Sequence, residues 1–247
     1  MTTVAVLADP PRDDVVLPEW SPSPLTQSEA TLLYRAMLAD VLTGIDGSGG
    51  ELLVNYRDDD QLPAADGDAA AELRSLVEDT LDSPGDVRFE VQVGSTPYAR
   101  VGNTITHLLD REAVDTAAVV EPSAAFLTRS TVDSAAMKLR SADVVLGPST
   151  DGRIYYAGFR ESIDFSEIFE PPVIETVTRR AREAGYSVDF LPMLPVIERP
   201  ADLLTAIPAL RSRREAGRGL PVHTAAAIED IGLSVQETED GLTVTQS

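Results

Sequence analysis

The feature that most constrains this chain is an alternation between short apolar runs and longer stretches whose apolar residues recur at helical spacing. Val4–Ala8, Glu51–Tyr56, Val87–Gln92, Ala117–Val120, Asp143–Leu146, Ile154–Ala157 and Val188–Leu191 read as strands. Between them lie helical stretches. The first is capped by Thr26 or Ser28, carries Ala30, Leu33, Met37, Leu38 and Val41 on one face, and is expected to stop at Gly44. Others are expected at 69–81, 100–110, 131–141, 172–184 and 200–210, the last introduced by Pro200 in its first turn. Strand and helix in alternation predict an α/β fold, three-layer αβα, around a mostly parallel mixed sheet with right-handed crossovers. Residues 9–26, rich in Pro, Asp and Ser and containing Trp20, predict a long loop of the kind that often carries function. Residues 1–210 are expected to form one domain. Residues 211–247, with a helix and a terminal strand at Leu242–Thr245, are expected to be an appended segment packed on it.

Composition narrows the function classes. The 247 residues include no cysteine, which excludes disulfides, thiolate metal ligands and cysteine nucleophiles. Acidic residues number 41 against 20 basic ones, a net charge of −21, and Lys138 is the only lysine. A surface this acidic repels itself unless salt screens it. Arginine used almost without lysine, beside abundant Asp, Glu, Ala and Thr, resembles proteins of salt-accumulating archaea. Nucleic-acid binding is not expected, because phosphate contacts need clustered basic residues. The one basic cluster, Arg211–Arg218, reads as charge balance at a helix end. No apolar run is long enough to span a membrane, and Met1–Ala8 reads as a buried strand rather than a basic leader. A cytoplasmic protein is expected.

Three stretches carry a resemblance: Leu33–Asp40, Ala142–Arg160 and Leu191-Pro192 with Val196–Leu203. The middle one, with its strand, Gly147-Pro148, Asp151-Gly152, Tyr155-Tyr156 and Gly158, is the most specific. Together they resemble an uncharacterised glycosyltransferase-A-fold family, a domain-of-unknown-function group of nucleotide-diphospho-sugar-transferase-like proteins, distantly similar to phospholactate guanylyltransferase. The resemblance covers residues 1–210 and implies a glycosyl or nucleotidyl transferase acting on a nucleotide or nucleotide-sugar, with Mg or Mn. The chain departs from the pattern where the chemistry would be. The loop after the first strand, Asp9–Pro18, keeps only Arg12 of the family's basic residues. Ser123 stands where a metal-binding Asp is expected, and Val196-Ile197-Glu198 leaves one carboxylate of an Asp-Val-Asp. A non-catalytic scaffold or binding protein that retains the fold is therefore the alternative.

The resemblance implies a nucleotide over the ends of the first strands, near Ala8, with Arg12 and Arg100 meeting phosphate and Glu121 with Glu198 holding a metal. Arg100, expected at a helix start where the dipole disfavours a cation, suggests an anionic partner, although a surface ion pair would also explain it. Glu121 and Glu198 can equally be ordinary surface acids. Asp151 is the candidate catalytic group, facing the acceptor beside Gly147, Gly152 and Tyr155. Asp-Gly is also a common turn, and one of Tyr155 and Tyr156 is expected in the core. His107 and His223 lack companions at metal-ligand spacing. No Gly-x-Ser-x-Gly elbow, Walker loop or dinucleotide fingerprint is present.

Overall fold

The computed structural model describes residues 1–20, 25–63, 67–239 and 241–246. Residues 21–24 of the predicted 9–26 loop lie outside the described residues. Seven strands build one sheet: β1 (Thr2–Ala8), β2 (Glu51–Tyr56), β3 (Arg88–Val91), β4 (Thr116–Val120), β5 (Val144–Pro148), β6 (Ile154–Phe159) and β7 (Val188–Phe190). Their spatial order is β3-β2-β1-β4-β6-β5-β7. Every neighbouring pair is parallel except the two made by β6. The helices are α1 (Gln27–Asp46), α2 (Ala69–Thr80), α3 (Pro97–Thr106), α4 (Arg129–Lys138), α5 (Val173–Glu183), α6 (Leu203–Glu215) and α7 (Val222–Asp230). A separate hairpin, β8 (Leu233–Thr238) with β9 (Gly241–Gln246), ends the chain. Among the described residues no helix is long and apolar enough to cross a membrane.

The sheet divides two apolar cores, and β1 shows why its sequence reads as an unbroken apolar run. Successive side chains on a strand point to opposite faces. Val4 and Val6 accordingly join the core shared with Leu33 and Met37 of α1 and Ile228 of α7, while Ala5 joins the one shared with Val101 and Ile105 of α3 and Val177 of α5. A central parallel strand buried on both faces has no polar side to expose.

β6 runs against its neighbours because the chain reverses sharply after β5. The reversal is the Asp151-Gly152 turn, with φ of 57° and 70°, a left-handed pair that an Asp-Gly sequence tolerates. β6 returns between β4 and β5, with Val145 opposite Gly158 and Ala118 opposite the same glycine on the other side. Its first residues therefore sit at the same sheet edge as the C-terminal ends of β1, β2, β4 and β5.

Several boundaries differ from expectation for identifiable reasons. Thr26 caps α1 in a reciprocal box with Glu29, but Gly44 does not stop the helix. It lies within α1 because a Cβ there would come 2.8 Å from the Leu127 carbonyl oxygen, so the glycine permits close packing. α3 begins at Pro97 rather than Arg100, with Thr96 as its cap and proline in the first turn. α6 runs past Leu210 to Glu215, where arginines are good helix formers and the C-terminal dipole favours them. β8 was not anticipated: Val235 is half-buried but Gln236 to Thr238 are exposed, leaving little apolar pattern to read.

Candidate active site

Four parallel strands end in near register, and the residue that follows each one enters the same cleft. These are Asp9 after β1, Arg57 after β2, Gln92 after β3 and Glu121 after β4. The strands are held by packing, so the next residue of each is delivered to the C-terminal edge, where open α/β sheets present their ligand sites. The cleft has a volume of about 310 Å³ and is also lined by Arg100 of α3 and by Glu198.

Charge in this cleft is unevenly matched. Arg57 is held by Asp9 through two hydrogen bonds, Nε to Oδ1 at 2.6 Å and Nη2 to Oδ2 at 2.5 Å. Arg153, 6% exposed, donates to Asp202 at 2.6 and 2.8 Å, to Glu198 Oε2 at 3.0 Å and to Thr150 Oγ1 at 2.9 Å. Asp202 also accepts the backbone N–H groups of Glu198 and Arg199 at 2.9 Å, which pins the segment carrying Glu198. Trp20 fixes the same segment from the other side, its buried indole N–H donating to the Glu198 carbonyl at 2.9 Å.

Arg100 is different. Among the described residues it is the half-buried arginine whose guanidinium has no ion pair, hydrogen bond or aromatic partner. Desolvation first, and then the nearby Arg57 charge, lower its pKa from the ordinary value. Glu121 shows the complementary stress. Its side chain is exposed where it lines both cavities, yet the walls of those cavities and two further carboxylates surround it. Desolvation, followed by the charges of Glu198 and Asp9, pushes its pKa up to about 7, with Arg100 partly offsetting them.

The other expected site residues are placed as follows. Ala8 is buried at the end of β1 beneath the cleft, between Leu7 and Asp9, which line it. Arg12 stands apart from both cavities, its guanidinium paired with Asp59 at 2.7 Å and Glu72 at 2.7 Å. Asp151 lies exposed on the rim of a second, adjoining cavity, and its carboxylate approaches Arg153 at 3.5 Å. Gly152 makes the turn beneath it. Tyr155 is buried and donates its hydroxyl to the Pro192 carbonyl at 2.9 Å. Gly147 serves that ring, since a Cβ there would fall 2.5 Å from Tyr155 Cζ. Thus Arg100, Glu121 and Glu198 are brought together, while Arg12, Ala8, Gly147 and Gly152 are not among the lining residues. A further cluster, Glu90, His107 and Glu112, has ligand atoms within 4.8 Å of one another. Arg88 already bridges Glu90 and Glu112 there, supplying the positive charge itself.

No protein-family model and no curated protein matches the sequence. The architecture does have counterparts. A protein from Desulfovibrio desulfuricans G20, named as a nucleotide-diphospho-sugar transferase, superposes with a TM-score of 0.73 at 20% identity, over 93% of this chain and 94% of that one. The fold is that of the nucleotide-diphospho-sugar transferases. A cytidylyltransferase from Leptospira borgpetersenii serovar Hardjo-bovis (strain JB197) shares it at TM-score 0.50 and 10% identity, over 93% of this chain and 94% of that one. So does a 4-diphosphocytidyl-2C-methyl-D-erythritol synthase, at TM-score 0.51 and 10% identity, over 83% and 95%. At these identities the likeness is one of backbone architecture.

The family resemblance pointed to Glu121, Glu198 and Arg100, the last also by its place at a helix start, and neither it nor residue pattern pointed to Asp9, Arg57, Gln92, Arg153 and Asp202 as site-building groups. A positional rule would have found three of them: the first polar residue after each of the parallel strands β1, β2 and β3. Arg153 carried a weaker signal, as a basic residue between a turn and a buried strand.

Proposed function

We propose that this protein binds a nucleotide or nucleotide-sugar in the polar cleft and transfers its glycosyl or nucleotidyl group to an acceptor. The observation that carries this reading is Arg100. In a chain with 41 acidic residues, a half-buried guanidinium without a carboxylate partner stands in the first turn of α3, where the helix dipole already favours an anion. A phosphate placed there would satisfy the cation, while the Ala99 and Arg100 N–H groups are already held by Thr96. Glu121 and Glu198 supply hard oxygen donors suited to Mg²⁺ or Mn²⁺, with Arg153 occupying one Glu198 oxygen. The mutual repulsion of these carboxylates is what a divalent ion would relieve. When bound, such an ion would supply charge stabilisation to the leaving phosphate. Asp151, on the neighbouring rim, would face the acceptor.

The excess of acid over base supports work in a salt-rich cytoplasm, where screening removes the self-repulsion. Residues 211–247 then act as a segment appended to the domain formed by 1–210, a reading supported by the seating of α7 on α1. One observation favours a non-catalytic binding protein instead: Arg57 and Arg12 are already matched by acids, leaving Arg100 alone for phosphate.

The test is unfolding followed by Trp20 fluorescence in molar KCl, with a panel of nucleotides and nucleotide-sugars, with and without Mg²⁺ or Mn²⁺. At a hundredfold excess over Kd a native-state ligand stabilises by about 2.7 kcal/mol, a midpoint rise of roughly 5–10 °C for a chain of this size. One nucleotide should show that rise in a metal-dependent way, and Arg100→Ala should weaken it at least tenfold, as expected for about 1.5–3 kcal/mol from a charged hydrogen bond. No rise across the panel would sink the transferase reading and leave the scaffold.

A further inference from the structure

Beside the polar cleft lies a second cavity of about 260 Å³, and its interior has the opposite character. Its floor is the sheet face that carries Leu7, Val119 and Ala157. Val177 of α5 closes one side, and Ile168 and Phe169 of the 160–172 connection close another. That connection is seated by design. Gly102 of α3 leaves room for Phe165, whose Cβ would lie 2.8 Å from any added Cβ, and Gly152 does the same for Pro172 at 2.7 Å. Phe165 in turn meets Phe159 edge-on, with ring centroids 5.4 Å apart. The charged and polar lining residues, Glu121, Ser123, Asp151, Arg153, Glu198 and Arg199, are outnumbered by apolar ones, and the Tyr155 hydroxyl is already spent on the Pro192 carbonyl.

The two cavities share Leu7, Val101, Glu121, Ser123, Phe169 and Glu198, so they meet at the carboxylate pair. A free sugar fits this interior poorly. Each of its hydroxyls would give up water, and the apolar walls return no hydrogen bond. An apolar body gains from the same walls by leaving water. An apolar cavity of about 150 Å³ accepts one benzene ring, so by proportion this one admits a body of about ten carbon atoms. The charged lining restricts the head group as well. Arg153 is already matched by Asp202, Glu198 and Asp151, and Glu121 adds a further carboxylate there, an arrangement unfavourable to an anionic head.

We infer that this cavity seats the apolar body of a hydroxylated molecule of about ten carbons, with its hydroxyl presented to Glu121 and Glu198 where the two cavities meet. That the molecule is the acceptor rests on the transferase reading; that the cavity binds it does not.

The experiment titrates 2-naphthol, and in parallel 1-octanol and D-glucose, into the full chain by calorimetry at several temperatures. Two cavity-filling variants, Val177→Phe and the less buried Val173→Phe, are titrated beside it after their fold is checked by circular dichroism. The expected result is saturable one-to-one binding of 2-naphthol with a negative heat-capacity change, at least tenfold weaker in the variants, and no binding of glucose. Absence of saturable binding, equal affinity in the wild type and a folded variant, or glucose binding as tightly as 2-naphthol would each overturn the inference. The nucleotide panel is run on the same variants. Naphthol binding without any nucleotide effect would remove the transferase reading and leave the cavity assignment standing. Nucleotide binding without naphthol binding would do the reverse.

Discussion

Arg153 and Arg100 both border the same pair of glutamates, and they could hardly be treated more differently. Arg153 is buried and holds five hydrogen bonds, joining the β5–β6 turn to the segment at Glu198–Asp202. Arg100 has lost part of its water and gained no partner among the described residues. In so acidic a chain, an arginine without an acid cannot be explained by scarcity of carboxylates. The contrast separates two uses of the same side chain: one closes the structure around the cleft, and the other leaves a positive charge open to it.

Breaking the closed arginine should have the largest effect. Arg153→Ala strands Asp202 as a buried, unmatched carboxylate, a loss of about 3–5 kcal/mol, measurable by urea unfolding. Next is Asp202→Asn. Burial alone would raise the Asp202 pKa, but the Arg153 hydrogen bonds and two backbone N–H groups outweigh it, and the net shift is downward. Its stabilisation is therefore present above the ordinary Asp value of about 4 and is lost as pH falls through the lower native value. The variant should lose about 1.5–3 kcal/mol near neutrality and converge on the wild type in strong acid.

Arg100→Ala should do the opposite to what Arg153→Ala does. Stability should change by less than about 1 kcal/mol, while nucleotide affinity drops at least tenfold. A large stability loss here would show an unseen structural partner and dissolve the comparison. The smallest effect belongs to Glu121→Gln. Because the folded carboxyl titrates near 7, above its unfolded value, wild-type stability falls as pH rises from about 4.3 through about 7. In metal-free buffer the variant should gain on the wild type at pH 8 and not at pH 4. Equal pH profiles would show that Glu121 is not under the strain described.

The strand and helix pattern was legible because burial on both faces leaves an unbroken apolar signature, as at Val4–Ala8 and Ala117–Val120. The direction of β6 was not, since it depends on two left-handed residues and not on apolar spacing. Glu121 and Glu198 emerged from the family resemblance, and the structure brings them together with Arg100. Arg12 was the natural phosphate candidate as the only basic residue of its loop, but Asp59 and Glu72 reach it from distant segments. Ion pairing across 47 or 60 positions leaves no local trace, and the same blindness hid the Arg153–Asp202 pair. Asp-Gly was legible as a turn, whereas the cavity behind it is shaped by Phe165 and Pro172, which only the folded chain brings near.

Asp40 has a consequence for the order in which this molecule can be made. Its carboxylate, buried on α1, accepts the backbone N–H groups of His223 at 3.1 Å and Thr224 at 2.7 Å, capping α7 from the far end of the chain. Desolvation raises its pKa, and those two donors are what restrain the rise. On the ribosome, α1 is complete long before residue 224 has been synthesised. Until then Asp40 must stay in water, so the face of α1 around it cannot close. The first helix is thus kept unfinished by the last one, and a chain interrupted before α7 would expose a surface that chaperones and proteases recognise.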